Sequence, residues 1–125
     1  MRRFILSPSL LSADFGNLRG ELEALEAAGL EWVHWDVMDG LFVPNITFGP
    51  PVIKALRASS KLFFDVHLMI DHPERYIREF ADAGADLLCV HAETGVHLER
   101  TISAIREAGM QTLPKIGRAS CRERV

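Results

Sequence analysis

Apolar residues along this chain follow two spacings, which alternate from the first residues to about residue 109. Short, nearly continuous apolar runs predict four buried strands, at residues 4–9, 32–37, 62–66 and 87–90. Between the runs, apolar positions recur every three or four residues and predict four helices, which begin at residues 18, 50, 73 and 96. The predicted order is therefore βαβαβαβα.

Strands that alternate with helices in this way indicate a parallel sheet, and strands that are apolar throughout fit a sheet covered on both faces. Two architectures remain, an open doubly wound sheet and a (β/α)8 barrel. Open nucleotide-binding sheets usually carry G-x-G-x-x-G after the first strand, whereas here that turn reads SPSLLSADFGN. Polar residues instead follow the end of each strand, where a barrel places its chemistry. The pattern favours the barrel.

A complete barrel needs about 250 residues, and this chain has 125. We therefore interpret residues 1–114 as the N-terminal half of a single barrel, the first four βα units. Standing alone, such a half would leave the apolar residues that we expect on the inner barrel face without cover: Leu6, Val33, Val37, Phe64 and Val66. A fifth strand should begin after Gln111, but the following TLPKIGRASCRERV shows no strand pattern.

The last segment, residues 115–125, is more basic than the rest of the chain, which is typical of a disordered tail. A second interpretation is that this tail is not native. Back-translated, it matches a common sequencing-library adapter read through as coding sequence. Resequencing of the locus tests this hypothesis, and a genuine genomic reading frame with these codons would contradict it.

Composition narrows the class of protein. With 48% hydrophobic and 25% charged residues, the chain is typical of one ordinary soluble domain or part of a larger one. A net charge of −3 gives no electrostatic reason to expect nucleic acid, and no apolar run approaches a membrane span. The cysteines, Cys89 and Cys121, have no metal or disulfide spacing, and Cys121 falls in the suspect tail. We expect a cytoplasmic protein.

Two strands each carry a histidine and a carboxylate two residues apart, His34 with Asp36 and Asp65 with His67. Residues i and i+2 share one face of a strand, and such pairs are costly to bury unless something satisfies them. One pair alone would most simply be a hydrogen-bonded core pair. Two pairs at the same sheet end favour a divalent metal, with His34, Asp36 and His67 as ligands. Asp65 then lies beside or beneath the site, and a fourth position stays open.

Other residues near the strand ends have a structural and a functional interpretation. Ser9 fits a loop cap, and Asp39 fits a turn residue. Met38 and Met69 either fill core space or form an apolar lining over a substrate.

Four other residues, three histidines and a glutamate, give weaker evidence about the site. His91 and Glu93 follow the fourth predicted strand without an obvious partner, and are candidates only for a supporting role around the site. His72 and His97 fall near helix starts and are predicted to be solvated.

Four segments in this order resemble ribulose-phosphate 3-epimerases: SPSLLSADFGNL, HWDVMDGLFVPNITFGPPVIKALR, FDVHLMIDHPERYI and AGADLLCVHAE. The resemblance covers residues 4–109. It implies a (β/α)8 barrel of the ribulose-phosphate-binding type that converts D-ribulose 5-phosphate to D-xylulose 5-phosphate through an enediolate, in the pentose phosphate pathway. It also implies one divalent metal ion (Zn, Fe, Mn or Co), a sugar-phosphate substrate and a homo-oligomeric full-length protein.

Matched residue by residue, the resemblance implies that His34, Asp36 and His67 bind the metal and that Asp36 is an acid/base. It implies substrate contacts for Ser9, His67, Met38 and Met69. A fourth ligand that is also the second acid/base, and the phosphate-binding loops, would belong to later strands. We therefore expect the chain to be inactive alone.

Two other functions compete with this one. Sugar-phosphate aldolases and decarboxylases generally need a lysine at a strand end, but Lys54 falls in a helix, Lys61 precedes a strand and Lys115 begins the tail. A non-catalytic metal-binding domain would have no use for an open coordination position.

Overall fold

The computed structural model describes residues 4–94 and 97–115. Within them, four parallel strands in the order β1-β2-β3-β4 alternate with four α-helices. The strands are β1 (Trp32–Met38), β2 (Phe63–Met69), β3 (Leu87–His91) and β4 (Gln111–Lys115). The helices are α1 (Leu18–Ala27), α2 (Pro50–Arg57), α3 (Ile77–Ala83) and α4 (Leu98–Glu107). The predicted alternation and parallel sheet are confirmed, and the arrangement is that of a barrel fragment.

The predicted first strand is wrong. Residues 4–8 form no regular strand, and only Ser9 makes an isolated parallel bridge, to His34. Pro8 accepts one hydrogen bond from the His34 N–H at 2.9 Å, but it has no N–H of its own to continue the pairing. Phe4 and Leu6 are 88% and 69% exposed, so the apolar run that suggested a strand is not buried here.

The expectation that no strand follows Gln111 is also wrong. β4 pairs in parallel with β3 over five residues, from Leu87 with Gln111 to His91 with Lys115. It is the last strand of the described sheet, and an edge strand tolerates Pro114 because that position need not donate to a further neighbour. Residues 116–125 of the predicted tail lie outside the described residues, as does Val96, where the fourth helix was expected to begin.

The two faces of the sheet differ in chemistry. Val33, Val37, Phe64 and Val66 are at most 4% exposed and belong to the core with residues of the helices. The prediction that they face the barrel interior is therefore wrong. Side chains alternate along a strand, so the neighbouring polar residues of β1 and β2 occupy the opposite, inner face.

Arg57, the last residue of α2, ties the strand starts to the helices. Its guanidinium donates to Asp86 Oδ2 at 2.9 Å and to three backbone carbonyls, those of Gly84, Ser60 and Leu62 at 3.2, 2.8 and 2.7 Å. Its central carbon lies 3.8 Å from the centroid of the Phe64 ring. Gly84 ends α3 with φ of 105°, and a Cβ there would overlap the Arg57 side chain. The Arg57 guanidinium therefore joins α2 to the segments that precede β2 and β3.

We expect Arg57→Ala to lower the free energy of unfolding by roughly 2–4 kcal/mol, since it removes the donor to three backbone carbonyls and the cation paired with Asp86, whose carboxylate keeps only the Phe64 N–H. Lys54→Ala, an exposed change on the same helix, is the matched control. Urea unfolding of both variants in the complete barrel measures the difference. Equal midpoints would show that the network adds nothing.

No helix within the described ranges is long and apolar enough to cross a membrane.

Candidate metal centre at the strand ends

The inner face carries a cluster of histidines and carboxylates that extends from the middle of β1 and β2 toward their carboxyl ends. The strand register pairs His34 with Asp65 and Asp36 with His67. Paired residues of parallel strands point to the same side, so all four side chains meet. His34 and Asp36 are each 8% exposed and His67 is 1% exposed. The sheet thus holds several ionisable groups in a nearly dry environment.

Three donor atoms of this cluster converge on one point. His34 Nε2 lies 3.1 Å from Asp36 Oδ1, and His67 Nδ1 lies 3.4 Å from the same oxygen. Ligand atoms of the three residues all lie within 4.8 Å of one another. Two imidazoles and one carboxylate are a donor set that suits divalent transition metals. The structure therefore brings together the three residues predicted as ligands, and their arrangement fits such an ion.

Asp65 lies behind His34 rather than among the converging donors. Its Oδ2 accepts hydrogen bonds from His34 Nδ1 at 2.8 Å and from Ser7 Oγ at 3.1 Å. A carboxylate on one imidazole nitrogen fixes the orientation of the ring and leaves the other nitrogen to face the site. For His34 that other nitrogen is Nε2, which points at Asp36.

The ionisable groups of the cluster shift one another's pKa values strongly. Burial lowers the pKa of His34, but hydrogen bonds and charge from Asp36 and Asp65 outweigh it and raise the pKa to about 9. Burial raises the pKa of Asp36, and hydrogen bonds from His34, His67 and Ser9, with the His34 charge, move it well below its ordinary value. A metal ligand must be a neutral imidazole, so ion binding here displaces a proton from His34.

Ser9 completes the surroundings of Asp36. Its hydroxyl donates to Asp36 Oδ2 and accepts from the Leu11 N–H at 3.1 Å, capping a short 3-10 turn (Leu10–Ser12). The predicted role as a loop cap is confirmed. The two oxygens of Asp36 are thereby divided, since Oδ1 faces the imidazoles and Oδ2 faces Ser9.

Met38 and Met69 lie at the outer end of the same face. They are a register pair, each two residues beyond Asp36 and His67 respectively. Met69 is buried and Met38 is half-buried, so together they place polarisable, aprotic side chains beside the polar cluster.

Asp39 is the turn residue that the sequence predicts, and it also reaches the neighbouring strand end. Its carboxylate accepts from the backbone N–H groups of Leu41 at 2.9 Å and Phe42 at 3.1 Å, and from that of Asp71 at 2.8 Å. Burial raises the pKa of Asp39, while these three donors outweigh it and leave the pKa below the ordinary value. Asp39 therefore clamps the loops after β1 and β2 together.

We expect Asp39→Asn to destabilise the complete barrel by about 1–2 kcal/mol at neutral pH, after allowance for solvent exposure. The amide nitrogen cannot accept from the Asp71 N–H. Because the folded pKa is lowered, this stability is present above the unfolded pKa of about 3.9 and is lost as pH falls through the folded pKa. Thermal melts of wild type, Asp39→Asn and the exposed control Asp82→Asn should differ most near pH 7. A pH-independent gap would contradict this account.

His91 is the buried residue whose contact the sequence analysis missed. It is 1% exposed and lies against His67, with Nε2 atoms 2.7 Å apart. The contact follows from the β2–β3 register, which pairs His67 with Cys89 and thus puts His91 on the same face two residues later. His72 and His97 are exposed, as predicted.

Comparisons with known proteins agree with this geometry. A sequence model described as the ribulose-phosphate 3 epimerase family matches residues 5–116. Ribulose-phosphate 3-epimerase of Rhodobacter capsulatus is 53% identical over 89% of this chain and 49% of its own length. The enzyme of the same name from Bacillus subtilis is 54% identical over 85% of this chain and 49% of its own length. The chain thus spans about half the length of the curated relatives it matches.

Among solved structures, a rubisco-like protein from Alicyclobacillus acidocaldarius superimposes with a TM-score of 0.61. The match covers 96% of this chain and 34% of that protein at 17% identity, so it concerns the fold alone.

Proposed function

This chain belongs to the ribulose-phosphate 3 epimerase family, and we propose that it is the N-terminal half of an enzyme that epimerises C3 of D-ribulose 5-phosphate to give D-xylulose 5-phosphate. The observation that carries the proposal is the divided carboxylate of Asp36. One oxygen meets both imidazoles, and the other accepts from the Ser9 hydroxyl.

Epimerisation at C3 requires removal of a weakly acidic proton beside a carbonyl group and its return on the opposite face of an enediolate. Asp36 is the carboxylate that we propose takes the proton on one face. Ser9 keeps the reacting carboxylate in one rotamer. A single carboxylate cannot serve both faces, and a second acid must return the proton.

We propose that His34, Asp36 and His67 hold one divalent metal ion (Zn, Fe, Mn or Co). When bound, such an ion acts as a Lewis acid that stabilises negative charge on substrate oxygens. Asp65 supports the site by orienting His34. His67 and Ser9 are also proposed substrate contacts, and Met38 and Met69 exclude water without offering an exchangeable proton.

The remaining parts belong to the second half of the barrel under this proposal. They are the fourth ligand, which is also the second acid, and the loops for the substrate phosphate, which barrels commonly place after strands seven and eight. We propose that residues 1–114 are native barrel, with the adapter-derived tail beyond them. We further propose a cytoplasmic homo-oligomer whose partner is a sugar phosphate rather than nucleic acid or a membrane.

Product analysis of ribulose 5-phosphate incubated with the complete barrel tests the proposal. An epimerase yields xylulose 5-phosphate, and an aldolase yields a shortened carbon chain. A decarboxylase leaves the substrate unchanged, because ribulose 5-phosphate has no carboxylate to lose. A non-catalytic metal-binding domain leaves the substrate unchanged. A shortened carbon chain or unchanged ribulose 5-phosphate would reject the proposed function.

Residues 1–125 expressed alone should neither form a stable monomer nor epimerise the substrate. Leu6 and Leu113 are 69% and 51% exposed in this chain, and β4 presents an open edge. Size exclusion, a thermal melt and the epimerase assay check this expectation. A cooperative melt from a monomer, or turnover above the uncatalysed rate, would contradict it.

A further inference from the structure

His67 has a second buried imidazole behind it. His67 Nε2 and His91 Nε2 are 2.7 Å apart, and the rings are stacked with centroids 4.9 Å apart at 26°. Both side chains are at most 2% exposed. At this separation one nitrogen must donate and the other must accept, so the two rings fix each other's tautomers.

The direction of this hydrogen bond in an ion-loaded site follows from the other side of His67, whose Nδ1 would then give a lone pair to the ion rather than a proton to Asp36. Its Nδ1 faces Asp36 Oδ1 at 3.4 Å, inside the group of converging donors. An imidazole that offers a lone pair on Nδ1 carries its proton on Nε2. That proton points at His91 Nε2, which must then be the acceptor. A neutral His91 in that role carries its own proton on Nδ1.

The outer nitrogen of His91 faces a carboxylate. His91 Nδ1 lies 3.9 Å from Glu93 Oε2, a separation that a rotation of the partly exposed Glu93 side chain can close. His91 itself is held in place from two sides. The Phe42 ring lies 4.9 Å from the His91 ring, and Thr94 Oγ1 donates to the His91 carbonyl at 2.7 Å.

We propose that His91 and Glu93 are positioning residues that hold His67 in its Nε2–H tautomer, so that Nδ1 stays available as a ligand. The chain of donors runs from His67 to His91 to Glu93. It parallels the support that Asp65 gives to His34 through the opposite nitrogen. This inference rests on the proposed function, because it assigns a purpose to the ligand set named there.

Metal affinity measures the support directly. In the complete barrel, titrated with Zn²⁺ against a competing chelator, His91→Phe should weaken binding by about 10–100-fold, the usual effect of losing such a supporting residue. His91→Gln offers an amide oxygen to the His67 N–H and should restore most of that loss. Glu93→Leu should weaken binding by a smaller factor, and Glu93→Gln, which keeps an acceptor oxygen, should not.

NMR determines the tautomers of His67 and His91 in the wild-type protein, so this result does not depend on how any variant folds. With ¹¹³Cd²⁺ bound and histidines labelled with ¹⁵N, the metal should couple to His67 Nδ1, and His91 should carry its proton on Nδ1. Coupling to His67 Nε2, or a proton on His91 Nε2, would overturn the inference. Equal Zn²⁺ affinity in wild type and a folded His91→Phe would also overturn it while leaving the proposed function intact. Failure of the wild type to bind either ion would reject both.

Discussion

Asp36→Asn in the complete barrel should lower kcat by at least about 100-fold, or about 2.7 kcal/mol of activation free energy, the lower end of what an acid–base residue contributes. The amide keeps the shape of the side chain and one oxygen to face the imidazoles. It cannot accept and release a proton.

A matched control variant distinguishes a loss of catalysis from a loss of folding. Asp82→Asn makes the same chemical change at an exposed position on α3 and should leave kcat unaltered. Thermal melts should show both variants folded. An Asp36→Asn enzyme that keeps wild-type kcat would remove Asp36 from the acid–base role.

His34→Ala and His67→Ala should each abolish stoichiometric binding of divalent metal and most of the activity. Each removes one of three donors in a cluster whose ligand atoms lie within 4.8 Å of one another. The loss should exceed the roughly 10–100-fold effect of removing a supporting residue. His34→Ala also leaves Asp65 without its imidazole partner in a nearly dry site, which adds a stability cost.

Metal analysis of the purified variants, together with kcat, measures this effect. His97→Ala is the matched control, because His97 is exposed and precedes α4 away from the cluster. Full turnover by metal-stripped wild type would show that no ion takes part in the reaction.

Sequence patterns predicted most of the fold because nearly continuous apolar runs and helical spacings are distinct in this chain. The strands at Trp32–Met38, Phe63–Met69 and Leu87–His91 each match a continuous apolar run. The failures have local causes. Leu6 belongs to an apolar run that is exposed in the described structure instead of forming a buried strand. Pro114 makes the sequence after Gln111 look unlike a strand, although an edge strand tolerates a proline.

Residue spacing alone predicts the part of the candidate site that lies on β1 and β2. His34, Asp36 and His67 meet because i and i+2 share a face and neighbouring parallel strands end together. The contact between His67 and His91 depends on the register of β2 against β3, which no single sequence states. The reach of Asp39 to the Asp71 N–H likewise depends on how two loops fold over the strand ends.

Proton NMR of ribulose 5-phosphate incubated with the complete barrel in D₂O tests the central claim most directly. The account predicts xylulose 5-phosphate that carries deuterium at C3, because the proton is removed on one face and a solvent-derived one returns on the other. Asp36→Asn should slow deuterium incorporation and epimer formation together. Epimer that retains its original C3 proton, or substrate that stays unchanged, would contradict the account.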